Sequence, residues 1–148
     1  MNLKEYIMQT TLSNINVKDI LKKANLKITP QRILILEVIK EKGHATIDDI
    51  YNQVKKQYPS ISIATVYKNI HNLYEKGVLR EINPQKDKAF YEITIYNHSH
   101  FICTSCHNIY DIEPCDNQII QQCFKEIPGK ISELELNVYG ICENCAKK

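Results

Sequence analysis

The stretch from His98 to Cys106 reads His-Ser-His-Phe-Ile-Cys-Thr-Ser-Cys and overlays two metal-binding patterns. Cys103 and Cys106 form a C-x-x-C, and a second C-x-x-C follows at Cys142 and Cys145. Each pair supplies two thiolates from one turn, and two pairs complete the tetrahedral set that structural Zn²⁺ prefers, with no vacancy for chemistry. Residues 107–141 separate the knuckles, a longer gap than the roughly 15–20 residues of common zinc ribbons. Disulfides or a redox dithiol are the competing reading, but a redox motif needs only one C-x-x-C. The matched pair points to metal. Cys115 and Cys123 have no such partners and read as ordinary thiols.

The second pattern is His98 and His100. Residues two apart in a strand share a face, so both imidazoles can aim at one point. His44, Glu92 and Asp111 are the further candidates, and imidazole with carboxylate suits Fe²⁺ or Mn²⁺ as well as Zn²⁺. Taken singly, His44 reads equally as a turn residue before a helix, and Glu92 as a solvated strand residue. Only the His98/His100 pair is specific by spacing.

The elements that must position these groups follow from periodicity. Val17, Ile20, Leu21 and Ala24 make one helical stripe, closed by Asn25. Thr29-Pro30 is an N-cap followed by proline at the first helical position. The helix it starts is apolar at Ile33 to Leu36, Val38 and Ile39, and Gly43 ends it after Lys40 and Lys42. Thr46 and Asp49 have capping-box spacing, with Asp in place of the usual Glu or Gln. Ile47, Ile50, Tyr51 and Val54 then share a face, and Pro59-Ser60 breaks the helix. Ser62 caps a further helix, Ile63 to Lys76, with Ile63, Val66, Ile70 and Leu73 inward. Its outer face carries Ala64, Thr65, Lys68, His71 and Asn72, with Tyr67 and Asn69 on the flanks.

Val78 to Ile82 and Ala89 to Ile93, around the polar turn Asn83 to Lys88, make a hairpin. Three helices and a hairpin give the order of a winged helix-turn-helix. The boundary falls at Ile95 to Asn97. Beyond it, Phe101-Ile102 and Ile109 to Ile112 flank the first knuckle as a hairpin. Asn117 to Ile127 reads as a helix, and Leu134, Leu136 and Val138 alternate as a strand. The fold class is α+β: residues 1–95 a winged-helix DNA-binding domain, residues 96–148 a small α/β metal-binding domain.

Composition sets the class. With 148 residues, 43% hydrophobic and 24% charged, the chain is globular and not disordered. No apolar run approaches the roughly 20 residues of a membrane span, and the polar stretch Met1 to Asn16 lacks the core of a secretory signal. A cytoplasmic protein is expected. The net charge of +2 is unevenly spread: residues 1–96 carry 15 Lys/Arg against 10 Asp/Glu, residues 97–148 carry 4 against 7. The basic half is the candidate for a polyanion partner. Thr65, Lys68 and Asn72 can then donate to phosphates or bases from the major groove, with Tyr67 reaching from the flank. A plain solvated helix face is the alternative.

Four segments carry a resemblance: Leu26 to Arg32, His44 to Tyr51, Ile63 to Tyr67, and His98 to Cys106. In this order they resemble the ferric uptake regulator (Fur) family, from about Val17 to Cys145. The resemblance implies a metal-dependent, homodimeric, DNA-binding repressor without enzymatic activity. Its winged helix binds an AT-rich inverted repeat, and its C-terminal domain dimerises. It makes Cys103, Cys106, Cys142 and Cys145 the ligands of structural Zn²⁺. It makes His44, Glu92, His98, His100 and Asp111 a regulatory site for Fe²⁺ or Mn²⁺, and Tyr67 a DNA contact. Asp111 resembles the peroxide-responsive (PerR-like) branch, whereas Glu92 resembles the iron-uptake branch; the former is the closer reading. Asn97 and Ser99 stand where some iron sensors carry ligands of a further site. Zinc-uptake regulation stays open within the family, and a zinc-ribbon interaction module or a thiol-redox enzyme are the competing classes outside it. A metal shared by the two domains implies a mechanism. It would fix the angle between them, and with it the spacing of two recognition helices on DNA.

Overall fold

The computed structural model describes residues 14–85, 88–94, 98–112, 117–131 and 134–148. They fall into two compact units, within Met1–Tyr96 and Asn97–Lys148. The boundary expected at Ile95 to Asn97, the turn residues Lys86 and Asp87, the N-terminal stretch through Ser13, and Cys115 all lie outside the described residues.

The first unit is built from four helices and a hairpin: α1 (Val17–Lys23), α2 (Pro30–Lys42), α3 (Ile47–Gln57), α4 (Ile63–Glu75), β1 (Leu79–Gln85) and β2 (Lys88–Ile93). Local chemistry sets the boundaries. Asn16, Thr29, Thr46 and Ser62 each cap a helix with a side-chain oxygen that accepts from a backbone N–H. Asn25, Gly43 and Gly77 follow their helices at positive φ, 54°, 76° and 70°, where glycine, and to a lesser degree asparagine, is tolerated. Ile20, Leu21, Ile35, Leu36, Ile39, Ile50, Val54, Val66 and Leu73 are fully buried in one cluster, each contributing about 2 kcal/mol of transfer free energy.

Two expectations change here. Ile63 is 41% exposed and does not join the inner stripe. Ile61 packs on the core instead. It precedes the Ser62 cap, and with Val66 it has the N′/N4 spacing of a hydrophobic staple, so the chain enters α4 by burying Ile61. The hairpin turn is also shorter than expected. Asn83 to Gln85 continue β1, and Gln85 pairs with Lys88 across an irregularity after Ile82. Pro84 has no N–H to give a ladder, and the irregularity is where the ladder skips.

An isolated antiparallel bridge joins Ala45 to Tyr91, with N···O distances of 3.0 and 2.8 Å in the two directions. It ties the start of α3 to the hairpin.

The second unit is a three-stranded sheet, order β4-β3-β5, made of β3 (Ser99–Cys103), β4 (Ile109–Ile112) and β5 (Asn137–Gly140). β4 runs antiparallel to β3 and β5 runs parallel to it. Two short helices complete it, α5 (Asn117–Cys123) and α6 (Glu143–Ala146). α5 ends earlier than the expected Ile127, and β5 starts only at Asn137, so Leu134 and Leu136 precede the strand. Pairing to β3 defines the strand, and Leu136 reaches it only through its carbonyl, which accepts from the His100 N–H at 3.1 Å. Among the described residues, no helix is long and apolar enough to cross a membrane.

The cap of α3 makes a testable prediction. Asp49 accepts from the Thr46 N–H at 3.0 Å and from its hydroxyl at 2.8 Å, while the Asp49 N–H donates to the Thr46 hydroxyl oxygen at 3.1 Å. Burial opposes ionisation of Asp49 most strongly, but the Thr46 hydrogen bonds and the Lys42 ammonium together hold its carboxyl below the ordinary 3.8. Folding therefore favours the carboxylate. Its contribution is present above the ordinary value and fades as pH falls through the lowered one. Asp49→Asn is expected to flatten the acid limb of the melting-temperature profile, and Thr46→Ala to cost about 1 kcal/mol. Unchanged thermal melts in both variants would overturn this account.

Candidate metal centres and a candidate nucleic-acid face

The four knuckle cysteines converge within the second unit. Their sulfurs lie within 4.8 Å of one another, and Cys106 Sγ is 3.8 Å from Cys142 Sγ. A disulfide needs about 2.05 Å. A tetrahedron of sulfurs about 2.3 Å from a central zinc has edges of about 3.8 Å. The geometry fits a metal, and the donors are all soft thiols.

The local fold explains the convergence. β3 ends at Cys103, the turn 104–106 follows, and His107 takes φ 63° so that the chain returns as β4. Cys103 is in parallel register with Gly140 of β5, so the second knuckle emerges beside the first. Cys142 stands at the start of α6 and Cys145 within it. A side chain at Gly140 would crowd the Phe101 ring, since a Cβ there would meet Phe101 Cε2 at 3.0 Å and the ring would have to give way.

The electrostatics favour thiolates. Backbone N–H groups of Cys106 and Cys142 donate to Cys103 Sγ at 3.5 and 3.3 Å and pull its thiol down to about 5. The Cys145 amide likewise lowers the Cys142 thiol from its ordinary value. For Cys106, the amide of Asn108 pulls down, but burial and the neighbouring sulfurs outweigh it and push the thiol up to about 11. Sulfurs this close cannot all ionise without a cation among them.

The imidazole and carboxylate candidates form one group in each unit. In the second unit, His98 Nε2 and His100 Nε2 lie 3.1 Å apart, both buried. Asp111 Oδ1 stands 3.4 Å from the first and 3.6 Å from the second. Register produces this: His100 is the direct partner of Asp111 across β3–β4, and of Asn137 across β3–β5. Asn137 Oδ1 lies 3.3 Å from His100 Nδ1. An Nδ1–H donated there leaves Nε2 with its lone pair toward His98 and Asp111, the tautomer a metal ligand needs.

In the first unit, the Ala45–Tyr91 bridge sets His44 beside Glu92. His44 Nε2 lies 3.1 Å from Glu92 Oε2, and the Glu92 side chain is only 4% exposed. The Arg80 guanidinium closes on the other oxygen, Oε1, with Nε at 2.7 Å and Nη2 at 2.5 Å. Arg80 and Asn137 were not among the residues singled out by spacing. Arg80 had a signal, an opposite charge across the hairpin from Glu92, legible only once the register is known. A lone Asn in a strand carries none.

On α4, Thr65, Tyr67, Lys68 and His71 are exposed, and Asn72 is half-buried. Tyr67 is 53% exposed. Asn69 is committed within the fold, accepting from Arg32 Nε at 3.2 Å and donating to the Thr65 carbonyl at 2.9 Å. The Thr65 hydroxyl lies 2.9 Å from that of Ser62.

Comparison with known proteins agrees with this chemistry. The family model described as the Ferric uptake regulator family matches residues 23–139. The chain is 34% identical to the Peroxide operon regulator of Bacillus subtilis over 130 residues, which cover 86% of this chain and 90% of that protein. It is 38% identical to the crystal structure of the Campylobacter jejuni peroxide stress regulator, with a TM-score of 0.70, covering 88% of this chain and all of that one. It is 25% identical to the structure of the Ferric uptake regulator from Francisella tularensis with iron, with a TM-score of 0.70, covering 82% of this chain and 95% of the other. Such relatives are transcriptional regulators, not enzymes. The chain belongs to the ferric uptake regulator family.

Proposed function

We propose that the protein is a homodimeric, metal-dependent repressor that binds an AT-rich inverted repeat and senses peroxide through Fe²⁺ or Mn²⁺. The observation that carries this reading is the pair of converging donor groups, thiols at the knuckles and imidazole with carboxylate at the other centre.

Zn²⁺ is assigned to Cys103, Cys106, Cys142 and Cys145, where it supplies a tetrahedral cross-link in a closed site. His44, Glu92, His98, His100 and Asp111 are assigned to one regulatory ion. Their donor set suits Fe²⁺ or Mn²⁺, and five protein ligands leave an octahedral ion one position for a small molecule. Sharing an ion between the two units would make metal the effector, by favouring one arrangement of the units over others. Thr65, Tyr67, Lys68 and Asn72 of α4 are assigned to DNA, on the strength of a polar exposed face followed by a wing. Homodimerisation is supported by exposed apolar side chains on the second unit, Ile119, Val138, Tyr139 and Ile141, each at least 41% exposed.

Peroxide sensing is favoured by the similarity to two peroxide regulators and by Asp111. Ferrous iron supplies one-electron reduction of peroxide beside the imidazoles that hold it. A specific observation also favours iron sensing. Glu92 resembles the iron-uptake branch at its position, and the two readings separate in experiment.

Cys142→Ser is expected to lose zinc and dimer together, since zinc at such a site contributes folding energy directly. A stable, dimeric, zinc-free variant would sink the structural assignment. Lys68→Ala is expected to weaken operator binding and lower the salt slope by about 1, with metal content and dimerisation intact. Parental binding by that variant removes Lys68 from the interface. Brief, low-dose peroxide is expected to add one oxygen atom to the peptide holding His44 or His98 in the Fe²⁺ form and not in the Mn²⁺ form. Mass spectrometry reads this directly. Unmodified histidines with DNA binding retained assign the protein to iron sensing.

A further inference from the structure

We propose that Arg80 sets the coordination of the regulatory metal by restricting Glu92 to a single ligand oxygen, Oε2. The inference rests on the proposed ligand role of Glu92 and adds a residue that acts through that carboxylate. Arg80 is therefore a positioning residue.

The argument begins with register. Arg80 and Glu92 are direct partners across β1–β2, so the guanidinium reaches the carboxylate along a short, unstrained path. An arginine facing a carboxylate usually engages both oxygens with two parallel hydrogen bonds. Here Nε and Nη2 both close on Oε1, at 2.7 and 2.5 Å. Oε2 is turned toward His44 Nε2 instead, at 3.1 Å. Oε1 thus faces the guanidinium, and Oε2 faces the imidazole of a second candidate ligand.

Two consequences follow. A divalent cation beside His44 meets Oε2, while Oε1 already accepts two charge-assisted hydrogen bonds. Glutamate, which can chelate through both oxygens, is thereby restricted to one. With each of five residues giving one donor, an octahedral ion keeps a position for water or peroxide. The second consequence is electrostatic. The Arg80 and Glu92 side chains are only 14% and 4% exposed, so solvent screens the guanidinium poorly, and its positive charge opposes the incoming cation. Arg80 raises the metal concentration at which the site fills. It also explains how a chain with Glu92, the larger carboxylate, can keep the open position that a peroxide sensor requires.

The test uses the full-length protein loaded with zinc, then titrated with Mn²⁺. Arg80→Met keeps the aliphatic stem and removes both charge and hydrogen bonds. It is expected to bind Mn²⁺ about tenfold more tightly, because a like charge a few Å away has been removed. Mn X-ray absorption is expected to show one additional oxygen neighbour. Arg80→Lys keeps the charge but not the two-nitrogen clamp, and is expected to gain the neighbour with a smaller gain in affinity. General damage to the fold weakens binding, so tighter binding is a signature that lost packing cannot produce. Should Arg80→Met fail to fold, Arg80→Lys decides. Equal or weaker affinity with unchanged coordination in the folded variants overturns the inference, provided that Glu92→Gln weakens Mn²⁺ binding. If Glu92→Gln binds as the parent does, the ligand role of Glu92 fails, and the role of Arg80 with it.

Discussion

Convergence of four sulfurs from two knuckles far apart in sequence is the constraint on which the second unit depends. Among its described residues, the buried apolar side chains are Ile102, Cys103 and Cys142, and two of these are themselves knuckle cysteines. So small a core cannot offset the conformational entropy of ordering the segment, about 1–2 kcal/mol per residue for the backbone alone. Small units of this kind need a cross-link. The sulfur cluster provides the place for one, and the amides directed at Cys103 prepare it by favouring thiolate.

The strand that ends in Cys103 carries His100, with His98 immediately before it, to the second group of candidate donors. β3 is the middle strand, so His100 has a neighbour on either side: Asp111, which brings negative charge to Nε2, and Asn137, which faces Nδ1. A shift of one residue in either pairing would turn these side chains to the opposite face. The cysteine turn pins the pairing with β4, and parallel pairing with β5 is held by the same knuckles. Two sets of candidate donors, one soft and one harder, are therefore organised around one short strand.

The first unit stands on different physics. Its core is large and continuous, its helices are capped by their own side chains, and its hairpin is tied to α3 by the Ala45–Tyr91 bridge. That bridge has consequences beyond packing, since it makes His44 and Glu92 neighbours. Tyr91 takes part on the other face of the hairpin. Burial and the Glu81 carboxylate push its hydroxyl up to about 12, so it stays protonated and donates to Glu81 at 3.2 Å. The hairpin alternates two polar pairs, Glu81 with Tyr91 on one face and Arg80 with Glu92, beside His44, on the other.

What the sequence determined by itself was local. The caps at Thr29, Thr46 and Ser62, the stops at Asn25, Gly43 and Gly77, the core stripes and the two knuckles are all written within a few residues, where backbone geometry and side-chain hydrogen bonding suffice. The His98/His100 pair was legible from its spacing, although only His100 lies within β3 and His98 stands just before it. Tertiary structure decided whatever depended on pairing across long separations. Ile61 replaced Ile63 at the core because the approach of the chain to α4, not helical period, chooses the buried residue. Leu134 and Leu136 alternate like a strand, yet β5 begins at Asn137, since the ladder to β3 starts only there. Arg80 and Asn137 come beside Glu92 and His100 through register alone, across separations of 12 and 37 positions in the chain. Local rules assign conformation residue by residue. Which side chains meet is set by burial and strand pairing over the whole unit, and no short window of sequence contains that information.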